Sequence, residues 1–337
     1  MKQPTFRLAI ALVGTLVIAC GQVPASSVPA PTAGSPSPIV PPSAGPSATP
    51  TATPTASPTA SASPTQAAPT ATAAPVSPSP TTSPAPTGTM VVRAYYLLDD
   101  AATGDPALVP VLRTVPRSKG TARAAMRALL AGPTAKERGA DPRIRTTIPR
   151  GTAFLGITIK EGVATVDLSG AFATGGGSFS VRARLAQVVY TLTQFSTVDR
   201  VRFKLDGKPV TVFSSEGIIL ESPVDRAHYR DDFLPAIFVD RPAWGASLLT
   251  PGRVTGLANV FEAQFRIALL DSSGDVLVER PVMATCGTGC WGRFDVTLPY
   301  RVSVAQWGTL RVWDPSERDG APEHVREYPV WLRPAAD

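Results

Sequence analysis

Between Gly21 and Thr89 the chain carries no charged residue. Histidine occurs only at 228 and 324, and cysteine only at 20, 286 and 290. Aromatic residues make up 7% and, apart from Phe6, lie after residue 90. Each shortage excludes something. A Ser-His-Asp or Cys-His catalytic set cannot be composed from two isolated histidines and a cysteine pair that is better spent on a disulfide. No run of Lys and Arg is interleaved with aromatics, so nucleic acid is not an expected partner. Gly175-Gly176-Gly177-Ser178 precedes a helical pattern and has backbone N–H groups for an anion. It lacks the lysine of a phosphate-binding loop and the spaced glycines of a dinucleotide fold, so it reads as a flexible loop. The longest apolar run, Leu8 to Ile18, is too short to cross a bilayer. The formal charge of +6 therefore sits on Lys2, Arg7 and the part after residue 90. It could favour an anionic polymer, or serve solubility alone.

What is present begins with a leader. Lys2 and Arg7 precede the apolar run, and Val17-Ile18-Ala19-Cys20 follows it. This resembles the lipobox of bacterial lipoproteins. The resemblance implies that residues 1–20 are a lipoprotein signal ending at the cysteine and cut just before it, that Cys20 is lipidated, and that the protein is extracytoplasmic and anchored to the cell membrane. Residues 21–89 are almost wholly Pro, Ser, Thr and Ala. Such a segment buries too little apolar surface to offset its chain entropy and reads as a disordered, extended tether.

From residue 90 the text changes. Met90 to Leu98 and Leu108 to Val115 read as strands, the second an edge because of Pro110. Thr121 to Ala131 reads as a helix stopped by Gly132-Pro133. Ala153 to Lys160 and Val163 to Leu168 alternate around a turn at Glu161-Gly162. In Val181 to Phe195, Val181, Leu185, Val188, Val189 and Leu192 recur at helical spacing, with Arg182, Arg184 and Gln187 assigned to the other, polar face. Val198 to Leu205 turns at Asp206-Gly207 into Lys208 to Val212. The order ββαββαββ predicts an α+β domain over residues 90–213, with helices on one face of a sheet. Tyr95-Tyr96-Leu97, Ala128-Leu129-Leu130-Ala131-Gly132-Pro133, Ile148-Pro149-Arg150-Gly151-Thr152, Gly162 to Ser169 and Thr191-Leu192-Thr193-Gln194-Phe195 carry a further meaning. Together they resemble GerMN, the spore germination and sporulation domain. That resemblance implies a ring-building-module-like fold, a non-catalytic assembly or binding role outside the membrane, and no catalytic residues.

Residues 214–235 read as a connector without a helix. Residues 236–334 read as seven or eight short strands, with a hairpin turn at Asp271 to Gly274, and so as a β-sandwich. Arg241-Pro242, Pro251-Gly252, Val254 to Ala263, Gly292-Arg293-Phe294 and Asp319-Gly320 resemble the immunoglobulin-like domain of bacterial spore germination proteins, which implies a binding or spacing module.

Outside the cytoplasm Cys286 and Cys290 are expected to pair. The rival reading, half of a metal site, is short of ligands, and neither metal nor cofactor is expected. Asp99-Asp100 and Asp231-Asp232 are paired carboxylates of the kind that do acid–base work, but each sits where exposed Asp is common. All five tryptophans fall after residue 235. Core packing is expected to claim most of them, a sugar platform being the alternative. Arg182 and Arg184 are the candidate surface for an acidic partner, against a plain solvated face. The reading is a non-enzymatic surface lipoprotein with an envelope protein or wall polymer as partner. Peptidoglycan or wall-glycan binding is the first alternative, and an envelope hydrolase is the second.

Overall fold

The computed structural model describes residues 88–99, 104 and 106–335. The expected leader, Cys20, the tether up to residue 87 and Asp100 lie outside the described residues. In chain order the first domain consists of β1 (Thr89–Leu98), β2 (Ala107–Pro116), α1 (Thr121–Leu130), α2 (Ala135–Arg138), β3 (Ile144–Arg145), β4 (Phe154–Lys160), β5 (Val163–Leu168), α3 (Ser178–Leu192), β6 (Arg200–Leu205) and β7 (Lys208–Pro209). A 3₁₀ turn, Gly170–Ala173, precedes α3. The α+β order is as the sequence predicts, but the strands form two sheets, β2-β1-β3 and β4-β5-β6-β7, where one was expected. Helices α1 and α3 pack on strands of both. β2 is an edge, as Pro110 requires.

Local chemistry explains the turns. Glu161 and Gly162 have φ of 51° and 76°, and Asp206 and Gly207 have 47° and 78°. Two successive left-handed residues match the twist of a two-residue hairpin, and the second is glycine in both. β5 pairs in parallel with β6, and α3 is the crossover between them. The short α2 was not foreseen. Thr134 caps it, with Glu137 reaching back as the other half of a capping box. Glu137 also holds Arg113 of β2 by two bonds of 2.8 and 2.6 Å.

α3 corrects a second expectation. It is buried on both sides: Val181, Leu185, Val188, Val189 and Leu192 are covered as expected, but so are Ala183, Arg184, Gln187 and Thr191. Over residues 183–192 the helix is enclosed all round, which marks a core element rather than a surface amphipath.

Beyond it the connector is structured. β8 (Val212–Phe213) pairs with β9 (Ile218–Ile219), and α4 (Ala227–Phe233) lies where no helix was expected. α4 has seven residues and no side-chain cap. Its only apolar signal is Tyr229 and Phe233, one turn apart and both buried. The second domain has eight strands: β10 (Ile237–Arg241), β11 (Ser247–Leu248), β12 (Gly252–Ala258), β13 (Gln264–Leu270), β14 (Val276–Met283), β15 (Gly292–Leu298), β16 (Gln306–Pro315) and β17 (Pro322–Leu332). They form sheets β10-β12-β15 and β11-β17-β16-β13-β14, facing each other through Phe265 and Phe294, whose ring centres are 4.9 Å apart. Gly256 is required here. A Cβ on it would stand 1.9 Å from the Phe238 carbonyl oxygen and 2.6 Å from the Phe294 ring. Asp271 serves its turn, its Oδ1 accepting from the N–H groups of Ser273 (2.8 Å) and Asp275 (3.0 Å).

Among the described residues no helix is long and apolar enough to cross a membrane. Both domains lie in one compact unit, and a single apolar core runs from one into the other.

Candidate functional site at the junction of the two domains

Arg182 and Arg184 are two positions apart, so on a helix they point to nearly opposite sides. Arg184 is not a surface residue: it is 1% exposed. Its guanidinium donates to the carbonyls of Phe172 (2.8 Å), Thr174 (2.9 Å) and Gly175 (2.7 Å), and its Nε donates to the Ser180 carbonyl (3.3 Å). Burial pulls its pKa below the usual guanidinium value. The segment leading into α3 is thus turned toward a cation rather than an anion. Its carbonyls, not its N–H groups, face a cation, and that cation belongs to the chain. Arg182 is the one that remains at the surface, and it pairs with Asp232 of α4.

The other polar residues of α3 have a task that periodicity does not reveal. β1 bonds β2 along its whole length, but on its other side it meets β3 only at Leu97 and Leu98. Side chains on α3 and just past its end take up two further positions of that edge, Arg93 and Tyr95. Gln194 Oε1 accepts from Arg93 N (2.9 Å), and its Nε2 donates to Arg93 O (2.7 Å). Thr191 Oγ1 accepts from Tyr95 N (3.1 Å), and Gln187 Nε2 donates to Tyr95 O (3.0 Å). Residues 187, 191 and 194 follow helical spacing and act as a missing strand, so β1 has no open edge there.

This part of β1 also meets the second domain. Tyr95 is fully buried and its hydroxyl donates to Asp240 of β10. Arg93 pairs with the same carboxylate at 3.2 Å. Arg226, just before α4, donates through Nε to Thr193 Oγ1 (2.8 Å) and through Nη2 to Tyr190 O (3.1 Å) and Tyr95 Oη (3.3 Å). Its guanidinium carbon lies 4.6 Å from the Tyr190 ring centre and 5.3 Å from that of Tyr95. Burial, reinforced by Asp240, pushes the Tyr95 phenol up to about 12. Burial opposes the charge on Arg226, yet Tyr95 and Asp240 outweigh it and hold its pKa above the ordinary value. Tyr190 meets Phe238 edge-on at 6.3 Å.

The tryptophans are corrected as well. None is among the buried core residues; Trp307 is 45% exposed and the other four are half-buried. Three of the five serve the junction. Trp244 N donates to Pro110 O of β2 (2.9 Å). Lys136 of α2 stands 5.5 Å from the Trp307 ring centre. Trp291 Nε1 donates to Asp231 of α4. Asp231 and Asp232 therefore answer two different partners and form no acid–base pair, while Asp99 is held by Arg143 and Arg145. His228 sits beside Asp225, away from His324 and its partner Asp314. Asp314, Glu323 and His324 bring ligand-type atoms within 4.8 Å of one another, but the His324 Nδ1 is spent on Asp314 at 2.8 Å.

The Asp314 hydrogen bond raises the His324 pKa against the opposing effect of burial. A raised folded-state value stabilises the fold fully below the unfolded value of about 6.5, and the gain is lost as pH rises through the folded value. Melting temperature should therefore decline as pH climbs from about 6 to 8, and more steeply in the wild type than in His324→Gln. Equal slopes would remove the effect.

Cys286 and Cys290 are joined. The loop they close lies against the strand β12 exit: Thr288 N donates to Val260 O, and Gly289 N donates to Asn259 Oδ1, both at 2.9 Å. In the loop-closure model so short a ring contributes about 2 kcal/mol. Replacing both cysteines by serine should lower unfolding stability by that amount, read by denaturant titration.

Residues 93–211 match the family described as sporulation and spore germination, and residues 236–321 match the immunoglobulin-like domain of bacterial spore germination. The chain carries both, in that order. The sporulation and spore germination domain thus holds β1 and α3, and the immunoglobulin-like domain supplies Asp240 to the junction. No curated protein matches the chain. Among solved structures, the tandem GerMN domains of the sporulation protein GerM from Bacillus subtilis align at 16% identity and TM-score 0.36, over 74% of this chain and 62% of that one. The first GerMN domain of the same protein aligns at 24% and 0.32, over 41% and 98%. A candidate lipoprotein from Clostridium perfringens aligns at 19% and 0.29, over 44% and 94%. All three TM-scores are below one half, and the family assignment rests on the two family models.

Proposed function

We propose that the protein is a non-enzymatic binding or assembly module of the cell envelope, acting in sporulation or germination and held to the membrane through a lipid on Cys20. One observation carries the non-enzymatic part: the junction's strongest polar groups, Tyr95, Arg226, Asp240, Asp231 and Asp232, are spent on one another or on neighbouring backbone and rings. Groups saturated in this way fix two domains in one orientation. They leave no nucleophile beside a base. A paired sporulation and immunoglobulin-like unit presents a broad surface on a tether, which suits capture rather than turnover.

Cys20→Ser in the full chain should move the protein from the membrane fraction to the soluble or secreted fraction. Unchanged membrane retention would overturn the anchor. Crosslinking in intact cells, followed by isolation of the wild-type protein, should recover an envelope protein or wall polymer.

A further inference from the structure

The junction holds a cavity of about 770 Å³ between α4 and the β10-β12-β15 sheet. Five charged side chains line it: Arg226, Arg230, Asp240, Arg293 and Asp295. Three of them are already matched. Arg226 is engaged by Thr193, Tyr190 and Tyr95; Asp240 by Arg93 and Tyr95; and Asp295 by Arg253, which reaches it with two N–H groups. Arg230 and Arg293 are left. Neither guanidinium has a hydrogen bond or an ion pair with any described residue, and the Arg230 Nε is the one buried polar side-chain atom among the described residues without a partner. A buried donor left unmade is costly, and evolved interiors rarely keep one. Both negative charges on the wall are neutralised from the protein, and two positive charges are not. The cavity wall therefore carries a net positive charge.

Its remaining walls narrow the ligand. Trp291 lines the cavity with its ring orientation set by the Nε1 bond to Asp231. Thr255 and Leu257 also line it. A volume of several hundred Å³ takes a body the size of one or two sugar rings, not a bare ion. An oriented indole gives such a body an apolar platform, and guanidinium pairs bind carboxylate or phosphate in a forked geometry. We infer that this cavity binds a saccharide bearing a carboxylate or a phosphate, with Arg230 and Arg293 taking the anion and Trp291 taking the ring. The inference names a ligand class for the binding reading and is independent of the anchor: Cys20→Ser tests one and ligand titration tests the other.

The test is isothermal titration of the full-length protein in detergent at low salt with three probes: a soluble disaccharide muropeptide (carboxylates), N-acetylglucosamine 6-phosphate (phosphate) and neutral chitotriose. At least one anionic probe should bind at least tenfold more tightly than chitotriose. Binding of the muropeptide alone assigns carboxylate; binding of the sugar phosphate alone assigns phosphate. R230Q and R293Q, which break no internal bond, should each weaken that binding about tenfold, as loss of a charged hydrogen bond does, with the melting temperature kept. W291F should weaken it several-fold and reads the ring contact separately. Anionic probes that bind no better than chitotriose, or a folded R230Q/R293Q protein that binds as the wild type does, would overturn the site.

Discussion

Arg184→Met should destabilise the sporulation and spore germination domain by about 3 to 5 kcal/mol, near the top of the range for single substitutions. The apolar length of the side chain is kept, so the loss is polar. Three carbonyls would lose their donor: that of Phe172, which is buried, and those of Thr174 and Gly175, which belong to exposed residues and are part-buried. An orphaned buried acceptor costs about 1 to 3 kcal/mol. The loop from 172 to 177 can swing to water and recover part of this, which is why the sum of three full penalties is not expected. Arg184→Lys should rescue little, because one ammonium cannot span carbonyls that a planar fork reaches together. In thermal melting the Met variant should fall by roughly 10 °C for a domain of this size. A shift of one or two degrees would mean that the loop keeps its shape without the guanidinium, and that Arg184 is an occupant rather than the organiser.

The same residue shows what could be read from the sequence and what could not. Apolar spacing placed α3, and Glu161-Gly162, Asp206-Gly207 and the turn at Asp271 announced their own geometry, because those signals are local. The eight strands after residue 236 followed from alternation and turns. The polar side of α3 was visible too, but polarity at helical spacing does not say whether water or protein lies opposite. For Gln187, Thr191 and Gln194 the opposite surface is the uncovered edge of β1, about a hundred positions away in the chain; for Arg184 it is a loop of carbonyls. Neither leaves a mark in the helix itself. α4 was missed for a different reason: seven residues without a cap carry little periodic signal, and its Tyr229 and Phe233 matter only because α3 is there to receive them. The tryptophans failed as core markers in part because three of the five, Trp244, Trp291 and Trp307, are placed where the two domains and α4 meet.

Arg226→Met should uncouple the two domains. Calorimetry of the wild type should show one cooperative transition, since a continuous core and the Tyr95-Arg226-Asp240 network join the domains. In the variant the Tyr190 carbonyl loses its donor and both tyrosine rings lose their cation. Asp240 keeps its ion pair with Arg93 at 3.2 Å and its bond from Tyr95, and loses the nearby positive charge of Arg226. A buried charge network broken at one member typically costs 3 to 5 kcal/mol. The methionine retains the packing and Arg93 stays in place, so about 2 to 4 kcal/mol is expected here. Arg226 belongs to neither sheet system, and that loss falls where the segment leading into α4 meets β1 and α3 of the first domain, beside the Tyr95–Asp240 link to the second. The transition should therefore split, with one domain unfolding several degrees before the other. A control separates this from simple loss of stability: Phe265→Ala, deep in the sandwich, removes packing of similar worth within the immunoglobulin-like domain and leaves the junction intact. It should lower the whole transition without dividing it at first. If the wild type already melts in two separated steps, the junction does not bind the domains into one body, and the cavity beside it has no fixed walls on which to hold a ligand.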